Sequence, residues 1–182
     1  MRVLIPLADG VEPLEAVSIM DVLRRAGIEV VTVSLSEETT VYAAHQVVLI
    51  ADQLWDDDLE LETFAAIVLP GGGRGTERLA ADERVMDALR FFEENELLIG
   101  AICAAPTVLV KAGVLDGCKA TCFPDHAEVL GASYVDVPVV ADGLIITSQG
   151  PGTSLLFALV LVRHLIGEEV AERVADAMLV SL

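Results

Sequence analysis

From end to end, the chain alternates short apolar runs with longer amphipathic stretches. Arg2 to Leu7 (RVLIPL), Ala65 to Leu69 and Leu97 to Ile102 are apolar on both faces, and Ile28 to Leu35 is rich in β-branched residues. Strands of that kind need cover above and below, which the stretches between them supply as helices. The expected architecture is therefore α/β, a mainly parallel sheet between two helical layers. Pro13 suits the first position of a helix over 13–26, and Gly27 closes it. Leu14, Val17, Met20 and Leu23 recur at helical spacing and are expected on the core face, with Glu15, Ser18, Asp21 and Arg25 on the other. Residues 82–95, 104–112, 153–165 and 168–179 read as further helices, 42–50 as a hairpin-like excursion, and 119–123, 134–140 and 144–147 as shorter strands. No linker or repeat interrupts the pattern, so one domain is expected over 1–182.

Composition narrows the partners. With 54% hydrophobic but only 4% aromatic residues, the core must be aliphatic. Acids outnumber bases 29 to 11, and a net charge of −18 repels phosphate backbones and anionic lipid. Nucleic acid and membranes are therefore not expected partners. The apolar run Leu155 to Val162 stops at Arg163, far short of the ~20 residues a membrane crossing needs. Pro6 and Asp9 interrupt the opening MRVLIPLADG before a secretory signal could form. Three cysteines, an odd number, then point to free thiols and a cytoplasmic protein.

In sheets of this type ligands bind beyond the carboxyl ends of the strands. That rule selects the loop after Leu7, the glycines after Leu69 and Cys103 after Ile102. Cys103 sits in G-A-I-C-A-A-P, a strand running straight into a helix with small residues around the thiol. This is the pattern of a nucleophile elbow, where a helix start lowers a thiol from its usual pKa of ~8.5. A buried cysteine packed as a small hydrophobe fits the same position. Gly71-Gly72-Gly73 allows close backbone approach to a ligand, either as an oxyanion-stabilising turn or as an ordinary strand-to-helix connection. Arg74 and Gly75 follow, so it is not a Walker loop. Glu15 lies in the first turn of the first helix, a position that favours acids for the helix dipole alone; its interest is that it shares the sheet edge with Cys103.

Other candidates are weaker. Cys118, Cys122 and His126 spell C-x3-C-x3-H, but on an extended strand two sulfurs so spaced lie ~13 Å apart, too far to share an ion. No metal is expected. His164 reads as a helix C-terminal cation or a satisfied surface group. Trp55 reads as an apolar anchor beside the acidic turn Asp56-Asp57-Asp58.

Four segments in register carry a family resemblance: Glu-Pro-Leu-Glu-Ala at 12–16, L-P-G-G at 69–72, A-I-C-A-A-P at 101–106 and S-Q-G-P-G-T at 148–153. Together they resemble the ThiJ/PfpI superfamily, which includes the Parkinson-disease protein deglycase, over essentially the whole chain. Cys-Ala-Ala-Pro, Phe123-Pro124 and Ser-Gln-Gly-Pro-Gly-Thr are most similar to its bacterial YajL branch. The resemblance implies a flavodoxin-like three-layer sandwich and a homodimer. It implies Cys103 as reactive nucleophile, Glu15 as its hydrogen-bonding partner, and an oxyanion pocket lined by backbone N–H groups at Gly72 and Ala104, beside Gly71. Adjacent anions repel, so Glu15 should hold a proton and donate to the thiolate or to a sulfinate formed from it.

There are departures. Several family members carry a His where this chain has Phe123, and His126 is three positions away. Protease-like relatives carry a His directly after the cysteine, where Ala104 stands. An Arg of some relatives is replaced by His45. The resemblance thus implies a cofactor-independent glyoxalase or deglycase acting on 2-oxoaldehydes or early glycation adducts. The alternative is a redox-sensing stress protein or chaperone that uses oxidation of Cys103. A cysteine peptidase is the least favoured.

Overall fold

The computed structural model describes residues 1–56 and 59–180. Asp57 and Asp58 of the acidic turn lie outside the described residues, as do the last two positions. In chain order the elements are β1 (Arg2–Leu7), α1 (Pro13–Arg25), β2 (Glu29–Ser34), β3 (Thr40–Tyr42), β4 (Val48–Ile50), β5 (Gln53–Leu54) and β6 (Ala66–Leu69). They continue with α2 (Gly73–Ala81), α3 (Glu83–Glu94), β7 (Leu98–Ile102), α4 (Pro106–Ala112), α5 (Ala127–Leu130), β8 (Val139–Asp142), β9 (Ile145–Ser148), α6 (Ser154–Ile166) and α7 (Glu168–Ala177).

Seven strands form one sheet in the order β5-β2-β1-β6-β7-β9-β8, while β3 and β4 form the expected separate hairpin. Every pairing in the large sheet is parallel except β8 with β9. The pleat divides the core. Val3, Ile5 and Leu7 point to the face covered by α1, α6 and α7, whereas Leu4, Ile67 and Leu69 point to the face covered by α3 and α4. From β1 the chain winds outward to β2, then returns to place β6 on the other flank of β1. The carboxyl ends of β1 and β6 therefore bound the crevice of this sheet, and β7 lies next to it.

Several expectations give way. On α1 the buried stripe is Ala16, Ile19, Val22 and Leu23, joined by Glu15 and Ser18. Leu14 and Val17, expected inside, are 56% and 45% exposed. Both faces of this helix carry apolar residues at the right spacing, and in the observed phase Glu15 reaches the sheet edge. Helix α2 has no counterpart among the helices expected from the sequence. The segment 119–123 is not a strand: Ala120 makes an isolated bridge to Tyr134, and the Thr121 N–H goes to the Thr147 hydroxyl instead of a ladder carbonyl. Strand β8 starts only at Val139, since Pro138 has no N–H to donate and sits at the sheet margin. Trp55 is buried in the core, beneath the Arg84 guanidinium. No helix among the described residues is long and apolar enough to cross a membrane.

Candidate active site

The loops after β1, β6 and β7 meet at one edge of the sheet, and their contact is backbone on backbone. The Glu12 N–H donates to the Gly71 carbonyl at 3.0 Å. Gly72 has φ +95°, and a Cβ there would stand 2.5 Å from both the Glu12 nitrogen and the Gly10 oxygen. At Gly71 a Cβ would stand 2.6 Å from Cys103 Cβ and 2.7 Å from Glu15 Oε2. Gly71 and Gly72 are required because this turn lies against the first loop on one side and the cysteine on the other, whereas a Cβ at Gly73 would meet nothing within 4 Å.

Cys103 occupies the tight turn between β7 and α4 with φ +65°, a left-handed conformation unusual for a side-chain-bearing residue. Both of its backbone polar groups are held. Its N–H donates to the Ser148 carbonyl at 2.9 Å, and its carbonyl accepts from the Phe123 N–H at 2.8 Å. Ser148 is fixed in turn: its hydroxyl lies 2.6 Å from the Thr153 hydroxyl and donates to the Pro138 carbonyl at 2.9 Å. The S-Q-G-P-G-T segment is thus part of the frame that holds the cysteine in a strained conformation.

Glu15 has no exposed surface. Its Oε2 accepts the Gly71 N–H at 2.8 Å, while Oε1 is buried without a nitrogen or oxygen partner. The Cys103 thiol is the other hydrogen-bonding neighbour of this carboxyl. Burial raises Glu15 from 4.5 to about 7, helped by the nearby charge of Glu12 and opposed by the Gly71 and Cys103 hydrogen bonds. Burial pushes the Cys103 thiol up to about 12; the Glu15 carboxylate pushes the same way, and the N–H groups of Gly72 and Ala104 pull it back. The expectation of a thiol lowered by the helix behind it is not met, because α4 begins only at Pro106 and burial outweighs the backbone donors. The two groups titrate as a pair. The first proton leaves near neutrality, and the remaining negative charge rests mainly on the Glu15 carboxylate held by Gly71, with the thiol still protonated beside the N–H groups of Gly72 and Ala104.

The structure therefore brings together Cys103, Glu15, Gly71, Gly72 and Ala104. Gly71 differs from its expected oxyanion role, since its N–H is taken by Glu15. Phe123, at the position of the missing His, is 39% exposed, and its ring packs against Gly150. His126 makes no described side-chain contact with the site, and its N–H goes to the Phe123 carbonyl. His45, on the β3–β4 turn, places Nε2 3.2 Å from Glu12 Oε2. Cys122 is buried in the core, while Cys118 lines a cavity of about 330 Å³ at the amino ends of β7 and β9. All three thiols are free, and among the described residues no cluster is gathered as a metal would require. His164 Nδ1 lies 2.8 Å from the Val160 carbonyl oxygen, the satisfied surface arrangement expected for it. The sequence reading missed Arg74 and Arg78, which line a cleft beside Gly73; their signal was two cations one helical turn apart directly after the glycines.

Comparison with known proteins agrees with this architecture. The chain matches the DJ-1/PfpI family over residues 1–164. It is 42% identical over 181 residues to the Arabidopsis thaliana protein DJ-1 homolog B, covering 98% of this chain and 41% of that protein. It thus spans less than half the length of that relative. A Caenorhabditis elegans protein named glutathione-independent glyoxalase DJR-1.2 is 36% identical over 170 residues, covering 92% of this chain and 89% of the relative. The crystal structure of Drosophila melanogaster DJ-1beta superposes with a TM-score of 0.92 at 40% identity, over 100% of this chain and 98% of that one. Matched from its first residue into α6, and superposable along its whole length on a solved relative, the chain belongs to the DJ-1/PfpI family.

Proposed function

We propose that the protein is a cofactor-independent enzyme acting on 2-oxoaldehydes such as methylglyoxal, or on early glycation adducts, with Cys103 as nucleophile on an elbow. It works as a cytoplasmic homodimer in protection against carbonyl stress. The observation that carries this reading is the buried Glu15 carboxyl bonded to the Cys103 thiol on the Gly71–Gly72 turn. The name of the Caenorhabditis elegans relative supports the same chemistry.

The reacting species is the minor form of the monoanion, in which the Cys103 proton has passed to the Glu15 carboxylate and the charge lies on sulfur. The sulfur forms a bond to the aldehyde carbon of methylglyoxal, the carbonyl π electrons move to oxygen, and that oxygen takes the Glu15 proton. The N–H groups of Gly72 and Ala104 stabilise the charge while it develops. The Glu15 carboxylate then removes the proton from the former aldehyde carbon, the hydroxyl proton on that carbon's oxygen passes to the former ketone oxygen, and Glu15 delivers its proton to the former ketone carbon through an enediol. The aldehyde carbon is oxidised to a thioester and the ketone reduced to an alcohol, so no external electrons are needed. Water cleaves the thioester, releasing lactate and the thiol.

Incubation with methylglyoxal should yield lactate, and Cys103→Ser should lower the rate at least about a hundredfold. Unchanged lactate formation in that variant would reject the assignment. With Phe123 in place of a His, no second acid or base stands at that position, and turnover should be slow.

A second reading, as a redox-sensing stress protein or chaperone, is favoured by the half-buried exposure of Cys103 beside a carboxyl able to donate to a sulfinate. Mild peroxide should then add two oxygens to Cys103, stably in the wild type and transiently in Glu15→Gln, read by intact-mass spectrometry. Absence of that product would dismiss the sensing role.

A further inference from the structure

Arginine pairing is uneven across this chain. Arg2, Arg24, Arg25, Arg84, Arg90 and Arg163 each face a carboxylate within ion-pair distance. Among the described residues Arg74, Arg78 and Arg173 do not, in a protein where acids outnumber bases 29 to 11. Two of those three line one cleft of about 690 Å³ between the β3–β4 turn and the start of α2. Arg78 donates to the backbone carbonyl of Asp9, so its guanidinium charge is not neutralised there. The acid on this wall is Asp9, whose Oδ1 accepts the Tyr42 N–H at 2.8 Å. His45, on the same wall, is turned toward Glu12.

The cleft adjoins the proposed reaction centre. Gly73 lines it and directly follows Gly72, whose N–H faces the Cys103 sulfur. Two residues of backbone separate Gly72 from Arg74, at most about 8 Å between Cα atoms. The Gly71–Gly73 turn thus has the Cys103 sulfur at one end and the wall of the cleft at the other. The positive end of α2 adds to the two guanidiniums there.

Resting on the proposed function above, we propose that this cleft is an anion subsite formed by Arg74 and Arg78, selecting carbonyl substrates that carry a phosphoryl or carboxylate group a few bonds from the reacting carbon. The subsite gives an acidic protein a local field that admits anionic substrates its overall charge would repel.

The test compares two alkylating agents of nearly the same size on the full-length protein, anionic iodoacetate and neutral iodoacetamide, with Cys103 labelling followed by peptide mass spectrometry. In Arg74→Gln/Arg78→Gln the iodoacetate-to-iodoacetamide rate ratio at Cys103 should fall about five- to tenfold. A control, Arg90→Gln/Arg173→Gln, loses the same two charges elsewhere and should leave the ratio within about twofold of wild type. Inorganic phosphate should slow iodoacetate labelling of the wild type and not of the cleft variant. An unchanged ratio in the cleft variant, or an equal fall in the control, overturns the subsite while leaving the enzyme reading intact. If iodoacetamide labels Cys103 no faster than Cys118, the enzyme reading fails and the subsite falls with it.

Discussion

At the scale of single residues, Glu15 decides when the site becomes active. Its folded-state pKa of about 7 lies above the 4.5 of a free carboxyl, so the folded chain keeps this proton to higher pH than the unfolded chain does. The linked stability is complete below about pH 4.5 and is lost as pH rises to about 7, a difference of roughly 3 kcal/mol. Chemical denaturation at about pH 5 and about pH 8 should show Glu15→Gln gaining stability relative to wild type over that interval. The same titration sets reactivity: iodoacetamide labelling of Cys103 should rise through about pH 7 in the wild type, and Glu15→Gln should lose that step. Gly71 offers a complementary probe. An added methyl would occupy the space between the carboxyl and the thiol, so Gly71→Ala should cost about 1–3 kcal/mol of stability and most lactate formation. Wild-type turnover in Gly71→Ala would mean that the two groups do not need their present contact. The pair was legible in the sequence as positions on a common edge. The direction of the thiol shift was not, because burial depends on how closely three remote loops pack.

Among the elements, those with one-valued patterns were legible and those with competing patterns were not. Strand β1 is apolar on both faces and falls at the expected residues, 2–7. Helix α1 carries apolar residues on both faces, so its sequence fits either phase; the observed one buries Ala16, Ile19, Val22 and Leu23 and turns Glu15 to the Gly71 N–H. Residues 119–123 have strand-like composition, yet their donors find a side-chain hydroxyl and the Ser133 carbonyl, so no ladder forms. Gly100 in β7 shows how closely α6 lies on the sheet. A Cβ there would come within 3.2 Å of Leu161, Phe157 and Val68 side chains, so Gly100→Ala should destabilise by about 1–2 kcal/mol in thermal or denaturant unfolding. No loss would mean that the α6 side chains repack freely.

Across the whole molecule, charge and apolar surface oppose each other. Leu14 and Val17 on α1, with Tyr42, Val48 and Ile50 on the hairpin, remain exposed. The hairpin is bonded to the approach of α1 through Gly10 N–H to Tyr42 O at 2.7 Å and Ala44 N–H to Val11 O at 2.8 Å. We propose that the second copy of the proposed homodimer docks on Leu14, Val17, Val48 and Ile50, which lie outside the lining of the arginine cleft. Two copies each carrying −18 repel, so the dimer should tighten as salt is added. Leu14→Glu/Ile50→Glu should sediment as a monomer at any salt concentration; a dimer in that variant would move the interface elsewhere. One further consequence follows from the interlocked loops beneath the sulfur. At Gly71 and Gly72 the space a side chain would need is already filled, so the pocket floor tolerates no larger residue. A lineage carrying this floor can acquire new substrate preferences only by altering the rim, at positions such as His45, Arg74 and Phe123. Evolvability here belongs to the border of the site, and its centre is held fixed.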